Sequence, residues 1–468
     1  MSDTMDRTGN KDHAGAPVPG GRAEVPAHAS QVCIIGAGFS GITAAKALKE
    51  AGVSFEVFER GSDLGGMWRY ENDSGTSSAY RSLHIDSSRP SISFPDFPIP
   101  ENLPDYLSHW QVMEHLKAYA EHFGVPPAIS FRTEVEQVRP APDGSWDVSI
   151  RPVGETGTGT SEVRRFQQVI VANGHLSDPK LPDFPGEFAG DQTHSHYYRT
   201  ADPYEGKRVL VVGIGNSAVD IAVDLARRAD KVYLSTRRSA WIMPKYIAGV
   251  PTDQWLRTLV RRFKLPVPFA RGFLRHVAKL TIGNQERFGV PRPAHPVWRE
   301  HATLSQELLP YIGHDWIRLK PNVEQLAGDE VAFVDGSREA IDSIIYATGY
   351  KATFPFVDSK LFKVEEGTPP PLYRRIAHVD HPGLMFAGLV QPIGPTISLV
   401  EIQARWMAGV LSGRIAIPDR TRMMEEVERH RAQVARRFVK SARYTLEVDF
   451  QSYAGDLNRD LQQAARRG

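Results

Sequence analysis

Three glycines, Gly36, Gly38 and Gly41, stand directly after the apolar run Val32-Cys33-Ile34-Ile35. Four apolar residues in a row mark a strand buried on both faces. Beyond the glycines, Ile42, Ala45 and Leu48 recur at helical spacing. Gly52 closes that helix, and Phe55-Glu56-Val57-Phe58-Glu59 reads as the next strand. The segment is therefore a βαβ unit whose first turn, Gly36-Ala37-Gly38-Phe39-Ser40-Gly41, fits G-x-G-x-x-G. The first glycine permits the tight turn, the second lets backbone approach a pyrophosphate, and the third lets helix and strand pack closely. The helix N-terminus offers free N–H groups to phosphate. Glu59, 23 residues after Gly36, is placed to accept hydrogen bonds from ribose hydroxyls.

The same grammar returns 177 residues downstream. Val209-Leu210-Val211-Val212 is a strand, and Gly213-Ile214-Gly215-Asn216-Ser217-Ala218 is the turn, with Ala218 in the third glycine position. Ala218, Ile221, Ala222 and Leu225 line one helix face, and Lys231-Val232-Tyr233-Leu234-Ser235 returns. The position equivalent to Glu59 is Thr236, followed by Arg237 and Arg238. Guanidinium groups suit an adenosine 2′-phosphate that a carboxylate would repel, so the second site is expected to prefer NADPH. Two dinucleotides in one chain imply hydride transfer from nicotinamide to flavin, with FAD at the first turn. The expected fold is α/β, with two Rossmann-like dinucleotide-binding domains. The expected divisions are a disordered tail at 1–30, a FAD domain at 31–180, an inserted NADPH domain at 181–343, and the rest of the FAD domain with C-terminal helices at 344–468. The short strands before Gly174 and Gly349 are read as crossings between the domains, and the segment after Arg420 as a solvated surface helix. Gly65-Gly66-Met67-Trp68 is either a close backbone approach to a bulky ring or an ordinary turn beside a core tryptophan. Trp241, Trp255 and Trp298 are pocket or core.

Composition narrows the classes. Lys plus Arg is 56 against 55 for Asp plus Glu, which argues against a nucleic-acid surface. Cys33 is the single cysteine, so the chain has no internal disulfide and no Cys-x-x-Cys redox pair, as fits a cytoplasmic protein. No apolar run reaches the roughly 18 residues of a membrane span, and the first 30 residues lack a signal-peptide core. A soluble protein with no membrane association is expected, and a homodimer is the commonest assembly for such enzymes. His194 and His196, and His295 and His301, lack the carboxylate or cysteine set of a metal site, so they read as structural or substrate-facing.

Phe188-Ala189-Gly190-Asp191-Gln192-Thr193-His194-Ser195-His196-Tyr197-Tyr198 matches F-x-G-x-x-x-H-x-x-x-Y/F. This resembles the fingerprint of class B flavoprotein monooxygenases, in the form found in flavin-containing monooxygenases. Baeyer–Villiger relatives usually carry Trp-Pro where Tyr198-Arg199 stands. Further similarity runs through Gly65-Gly66-Met67-Trp68-Arg69, Ala347-Thr348-Gly349-Tyr350, Gly388-Leu389-Val390-Gln391-Pro392 and Gln403-Ala404-Arg405-Trp406, covering about residues 31 to 460. The resemblance implies cofactor contacts at Gly66, Met67 and Trp68, and at Arg60, Ile85, Ser87, Val135, Thr348, Gly349 and Gln403. It also implies that NADPH reduces FAD, that NADP⁺ stays bound, and that O₂ then gives a C4a-hydroperoxyflavin. That species would insert one oxygen atom into a small organic substrate at N or S. Ketone-to-ester Baeyer–Villiger oxidation and an uncoupled NADPH oxidase are the alternatives; both fingerprints being intact argues against a non-enzymatic nucleotide sensor. One departure stands out. Typical members carry Thr-Asn where this chain has Ile85-Asp86. An ionised Asp86 only accepts hydrogen bonds, so it is either protonated by desolvation or paired with a cation, or the exchange leaves the chemistry unchanged. Baeyer–Villiger enzymes, as the resemblance implies, carry an Asp in this neighbourhood that holds an active-site Arg. Asp86 is therefore the candidate catalytic residue.

Overall fold

The computed structural model describes residues 31–154, 159–297, 299–438 and 445–466. The expected tail at 1–30 and Trp298 lie outside the described residues.

The two apolar runs that open the βαβ units become the centres of two separate sheets. In the first, Val32–Ile35 is buried along its whole length and pairs parallel with Phe55–Phe58 on one side and Gln168–Val171 on the other. Leu384–Phe386 adds parallel to Gln168–Val171, Ile129–Ser130 adds parallel to Phe55–Phe58, and two short antiparallel strands, Leu372–Tyr373 and Ala377–His378, complete seven. The helix Phe39–Glu50 covers one face, and Thr396–Leu411 packs in the same core, with Leu48, Leu399 and Trp406 fully buried. An antiparallel three-stranded sheet, Thr133–Pro140, Trp146–Pro152 and Glu162–Phe166, covers the opposite face through Trp146, Val148 and Phe166.

The second sheet is parallel throughout. Its order is Asp191–His194, Ser343–Tyr346, Arg208–Val212, Lys231–Ser235 and Ile317–Lys320. The helix Asn216–Leu225 buries Ala218, Ile221, Ala222 and Leu225 against it, the face read from sequence. Ser343–Tyr346 thus belongs to this sheet, and the chain leaves it only at Ala347, a few residues after the expected break at 343/344. Its four buried residues are in register with Val209–Val212, which is why the run is apolar. The two crossings pair with each other, Tyr350–Lys351 antiparallel to Asp178–Pro179. The fold is α/β with two Rossmann-like units. The expected solvated helix spans Arg420–Arg437 and turns only Met423, Val427 and Val434 inward.

Candidate functional site

At the first turn Gly36 has φ +102°, and its N–H donates to Phe58 O at 2.8 Å. A Cβ there would lie 2.8 Å from Ala172 O, and one on Gly41 would lie 1.8 Å from Gly36 O. Only glycine meets both conditions. The helix Phe39–Glu50 starts at Gly38 without a side-chain cap, so its first N–H groups have no competing side-chain acceptor. Gly65 N–H donates to Ala37 O at 2.9 Å, and a Cβ on Gly66 would sit 3.0 Å from Gly38 Cα. Gly65-Gly66 is therefore a close backbone approach, made to the first Gly-rich turn, with Trp68 packed against the core. Glu59 is buried. Its Oε2 accepts from Ala37 N–H and its Oε1 from Gly61 N–H, both at 2.7 Å. Burial raises its pKa and the two backbone donors oppose the rise. The second lone pair on each oxygen remains for ribose hydroxyls. Glycine cradle, uncapped helix and acid fit an adenine dinucleotide.

The second turn repeats this design. Gly213 has φ +136°, donates to Ser235 O at 2.8 Å, and would place a Cβ 2.5 Å from Ala347 O. The helix Asn216–Leu225 starts at Gly215, again without a side-chain cap. Ser217 is exposed on its first turn, and Arg237 and Arg238 are exposed beyond the strand Lys231–Ser235. Two guanidinium groups free for solvent fit a 2′-phosphate.

Asp86 lies where the two units meet. Asn216 Nδ2 donates to Asp86 Oδ2 at 2.6 Å, while Asn216 Oδ1 accepts from Leu304 N–H at 3.0 Å. Lys245 Nζ lies 3.4 Å from Asp86 Oδ1. Of the options open from sequence, the structure brings a cation beside Asp86, and burial also favours its protonated form. Burial raises the Asp86 pKa, and Lys245 and then His301 oppose the rise. Asp220, one helical turn beyond Asn216, accepts from Tyr80 OH at 3.0 Å, and burial followed by the Asp86 charge pushes it up to about 7. Asp220, Lys245 and Tyr80 carry no motif. Only the i, i+4 spacing from Asn216 could have suggested Asp220.

The fingerprint histidines are structural. His194 Nδ1 accepts from His196 N–H at 3.1 Å, and His196 Nε2 pairs with Gly75 O at 3.1 Å. Tyr198 OH donates to Asp224 Oδ2 at 2.6 Å, and Arg199 donates to Ser77 O at 3.1 Å. The motif is a joint fastening residues 75–81 to the helix Asn216–Leu225.

Other expected contacts fall at varying distances from the turns. Ile85 is buried, with its N–H donating to Leu107 O at 2.9 Å, and Ser87 is half-buried beside Asp86. Met67 O accepts from Ser77 Oγ at 2.7 Å. Gln403 is fully enclosed: its Oε1 accepts from Gly388 N–H at 2.9 Å and its Nε2 donates to Tyr453 OH at 2.8 Å. Gly388 in turn faces Ser40, so Gln403 acts on the first turn through Gly388. Val135 packs in the core with Cys33 and Phe58. Arg60 is half-exposed, with Nε 3.6 Å from Glu134 Oε1. Thr348 Oγ1 donates to Lys180 O and Gly349 O accepts from Lys180 N–H, fastening the crossing. Trp241 and Trp255 are partly buried, donating to His295 O and Ile247 O. Among the described residues no group of three His, Cys, Asp or Glu could hold a metal, and no helix is long and apolar enough to cross a membrane.

Two glycine cradles, each at the parallel centre of its own sheet and joined at one polar cluster, define an oxidoreductase of the two-dinucleotide class. The sequence profile described as FMO-like, flavin-binding monooxygenase-like, matches residues 29–464. Flavin-containing monooxygenase 5 of Rattus norvegicus is 35% identical over 436 residues, 90% of this chain and 80% of that protein. Dimethylaniline monooxygenase [N-oxide-forming] 2 of the same species is 34% identical over 444 residues, 91% of this chain and 82% of that protein. The solved structure of S-allyl-L-cysteine S-oxygenase from Allium sativum superposes with a TM-score of 0.69 at 27% identity, covering 92% of this chain and 88% of that one. The chain belongs to the flavin-binding monooxygenase-like family. It is a flavin-dependent monooxygenase, working with FAD and NADPH on a small organic substrate.

Proposed function

We propose that the protein transfers one oxygen atom of O₂ to the nitrogen or sulfur of a small organic molecule, with NADPH as reductant. FAD, when bound, supplies the oxygen-transfer chemistry, and the chain's residues bind, orient and hold charge around it. Gly36, Gly38 and the uncapped helix receive the FAD pyrophosphate, and Glu59 receives its ribose. Gly213, Gly215 and the helix at Asn216 receive that of NADPH, and Arg237 and Arg238 its 2′-phosphate. Asp86 fixes the Asn216 amide at the junction of the two units, where it would face the cofactors.

The observation that carries this reading is the makeup of the junction. Asp86, Asn216, Lys245, Tyr80 and Asp220 are already paired with one another, and none is an activated nucleophile. The chain therefore need form no bond to the substrate, and an amine or sulfide would itself supply the electron pair that takes the oxygen atom. Two relatives are named for N-oxide formation and S-oxygenation. Product analysis on a sulfide, a tertiary amine and a cyclic ketone tests it: S-oxide and N-oxide are expected, and conversion of the ketone alone to an ester overturns it. The Asp86–Lys245 pair favours that ketone chemistry as the second reading, since a cation beside the site can polarise a carbonyl. The buried single cysteine fits a cytoplasmic location. A homodimer is the assembly to test by light scattering.

A further inference from the structure

Arg374 and Arg375 are two successive non-glycine residues in the left-handed region, at φ +53° and +58°. Such a pair is strained and persists only where its surroundings hold it. Here the last helices hold it. Arg374 Nε and Nη2 donate to Asp460 Oδ2 and Oδ1, both at 2.9 Å, and Trp406 Nε1 donates to the same Oδ2 at 3.0 Å. Arg375 pairs with Glu426, and Arg374 N–H donates to Glu426 Oε2 at 3.3 Å. Glu426 stands on the helix Arg420–Arg437 and Asp460 on the helix Phe450–Ala465.

The turn aims one carbonyl inward. Tyr453 OH, on the same helix as Asp460, donates to Arg374 O at 2.5 Å. Gln403 Nε2 donates to Tyr453 OH at 2.8 Å, and Gly388 N–H donates to Gln403 Oε1 at 2.9 Å. Gln403 and Tyr453 are 0% and 4% exposed, so solvent does not compete for these groups. Gly388 lies just past the carboxyl end of the strand Leu384–Phe386, where parallel sheets place their ligands. A Cβ on Gly388 would lie 2.3 Å from Ser40 Oγ. Its backbone therefore bears on the first turn of the helix Phe39–Glu50, the turn proposed to receive the FAD pyrophosphate.

This chain of hydrogen bonds has one direction. A phenol carries a single proton, and a carbonyl only accepts. The Tyr453 proton goes to Arg374 O, so the Tyr453 oxygen must accept from Gln403. The amide then turns its NH₂ to Tyr453 and its oxygen to Gly388 N–H. The reversed amide would set donor against donor at both ends. We infer that Tyr453 is a positioning residue for FAD: through Gln403 it fixes Gly388 against the FAD turn, and the helix Phe450–Ala465 thereby takes part in retaining the cofactor. The inference rests on FAD lying at the first Gly-rich turn, and it is independent of which atom the enzyme oxygenates.

Holoenzyme diluted into buffer without FAD tests it, with release followed by the rise in flavin fluorescence. Tyr453→Phe leaves Arg374 O and a Gln403 N–H unpaired in a dry core and should release FAD about tenfold faster or more. The visible circular dichroism of the bound flavin should change as well, a signal that packing lost elsewhere would not move. Gln403→Leu removes the contact to Gly388 and should release FAD at least as fast. In that background Tyr453→Phe should add nothing, since the path to Gly388 is already cut. Should Tyr453→Phe hold no flavin, Asp460→Asn, which loosens the grip on Arg374, carries the same comparison: faster release alone, no further change beside Gln403→Leu. Unchanged release by whichever variant is read, or an effect that multiplies with that of Gln403→Leu, overturns the inference. Gly36→Ala keeps the two readings apart. If it retains flavin, the assignment of FAD to the first turn has failed; if it is emptied while Tyr453→Phe releases FAD like the wild type, only the role of Tyr453 has.

Discussion

Replacing Lys245 by Met removes the cation from a junction that holds two half-buried carboxylates. With both ionised, Asp86, Asp220 and Lys245 sum to one excess negative charge; Lys245→Met makes it two. At an effective dielectric of about 20, unit charges at the observed 3.4 Å attract by about 5 kcal/mol. Desolvation of both partners offsets part of this, and the side chains of Lys245 and Asp86 are still 18% and 27% exposed. A loss of about 3 kcal/mol is expected when the carboxylates are charged, at the low end for a broken buried pair.

The pH dependence separates this electrostatic account from lost packing. Burial holds Asp86 and Asp220 above their ordinary values, Asp220 at about 7. The folded chain therefore binds more protons than the unfolded chain between the ordinary carboxylate range and the raised values. The contribution of each group is fully present below that range and is lost as pH rises through the folded value. Removing Lys245 raises both carboxyls further, so the variant's deficit should be large at about pH 8.5 and small at about pH 5.5, where protonation relieves the repulsion. The midpoint of heat-induced flavin release, read by fluorescence at both pH values beside circular dichroism, measures it. A deficit independent of pH, or larger in acid, refutes the reasoning. Asp86→Asn combined with Lys245→Met returns the cluster to one excess charge and should recover most of the alkaline loss.

Asp86→Asn alone keeps an acceptor for Asn216 Nδ2 and leaves Asp220 facing Lys245 without excess charge. Its flavin-release midpoint should vary less with pH than that of the wild type, and an unchanged pH slope would mean that Asp86 titrates alike in the folded and unfolded chain, against the rise that burial gives it. Gly36→Ala places a methyl group 2.8 Å from Ala172 O at φ +102° and should yield protein depleted of flavin in its absorbance spectrum. Arg237→Ala with Arg238→Ala should raise the KM for NADPH about tenfold or more and leave that for NADH nearly unchanged; an equal effect on both would move the 2′-phosphate elsewhere.

What could be read in the sequence divides by range of interaction. Gly36, Gly41 and Glu59 were legible because each answers a constraint set within one βαβ unit: a left-handed turn, a helix that must touch that turn, an acid at the end of the adjacent strand. The inward face of Asn216–Leu225 followed in the same way from periodicity. Gln403 and Val135 show the limit of a resemblance, since a residue can matter at a cofactor turn while its own side chain faces Gly388 or a β-sheet core. Lys245 could not be found at all, because it is held by tertiary contacts: Tyr106 OH donates to its carbonyl, and so does Thr252 N–H at 2.9 Å. The exchange to Asp86 was visible in one dimension and its compensation only in three. A carboxylate where the family carries an amide adds a charge at a half-buried junction, and burial of a charge demands a partner or a proton. Asp86 in the sequence therefore left two ways to meet that demand, a proton or a cation, without saying where a cation would stand; the fold places Lys245, 159 residues downstream, beside it.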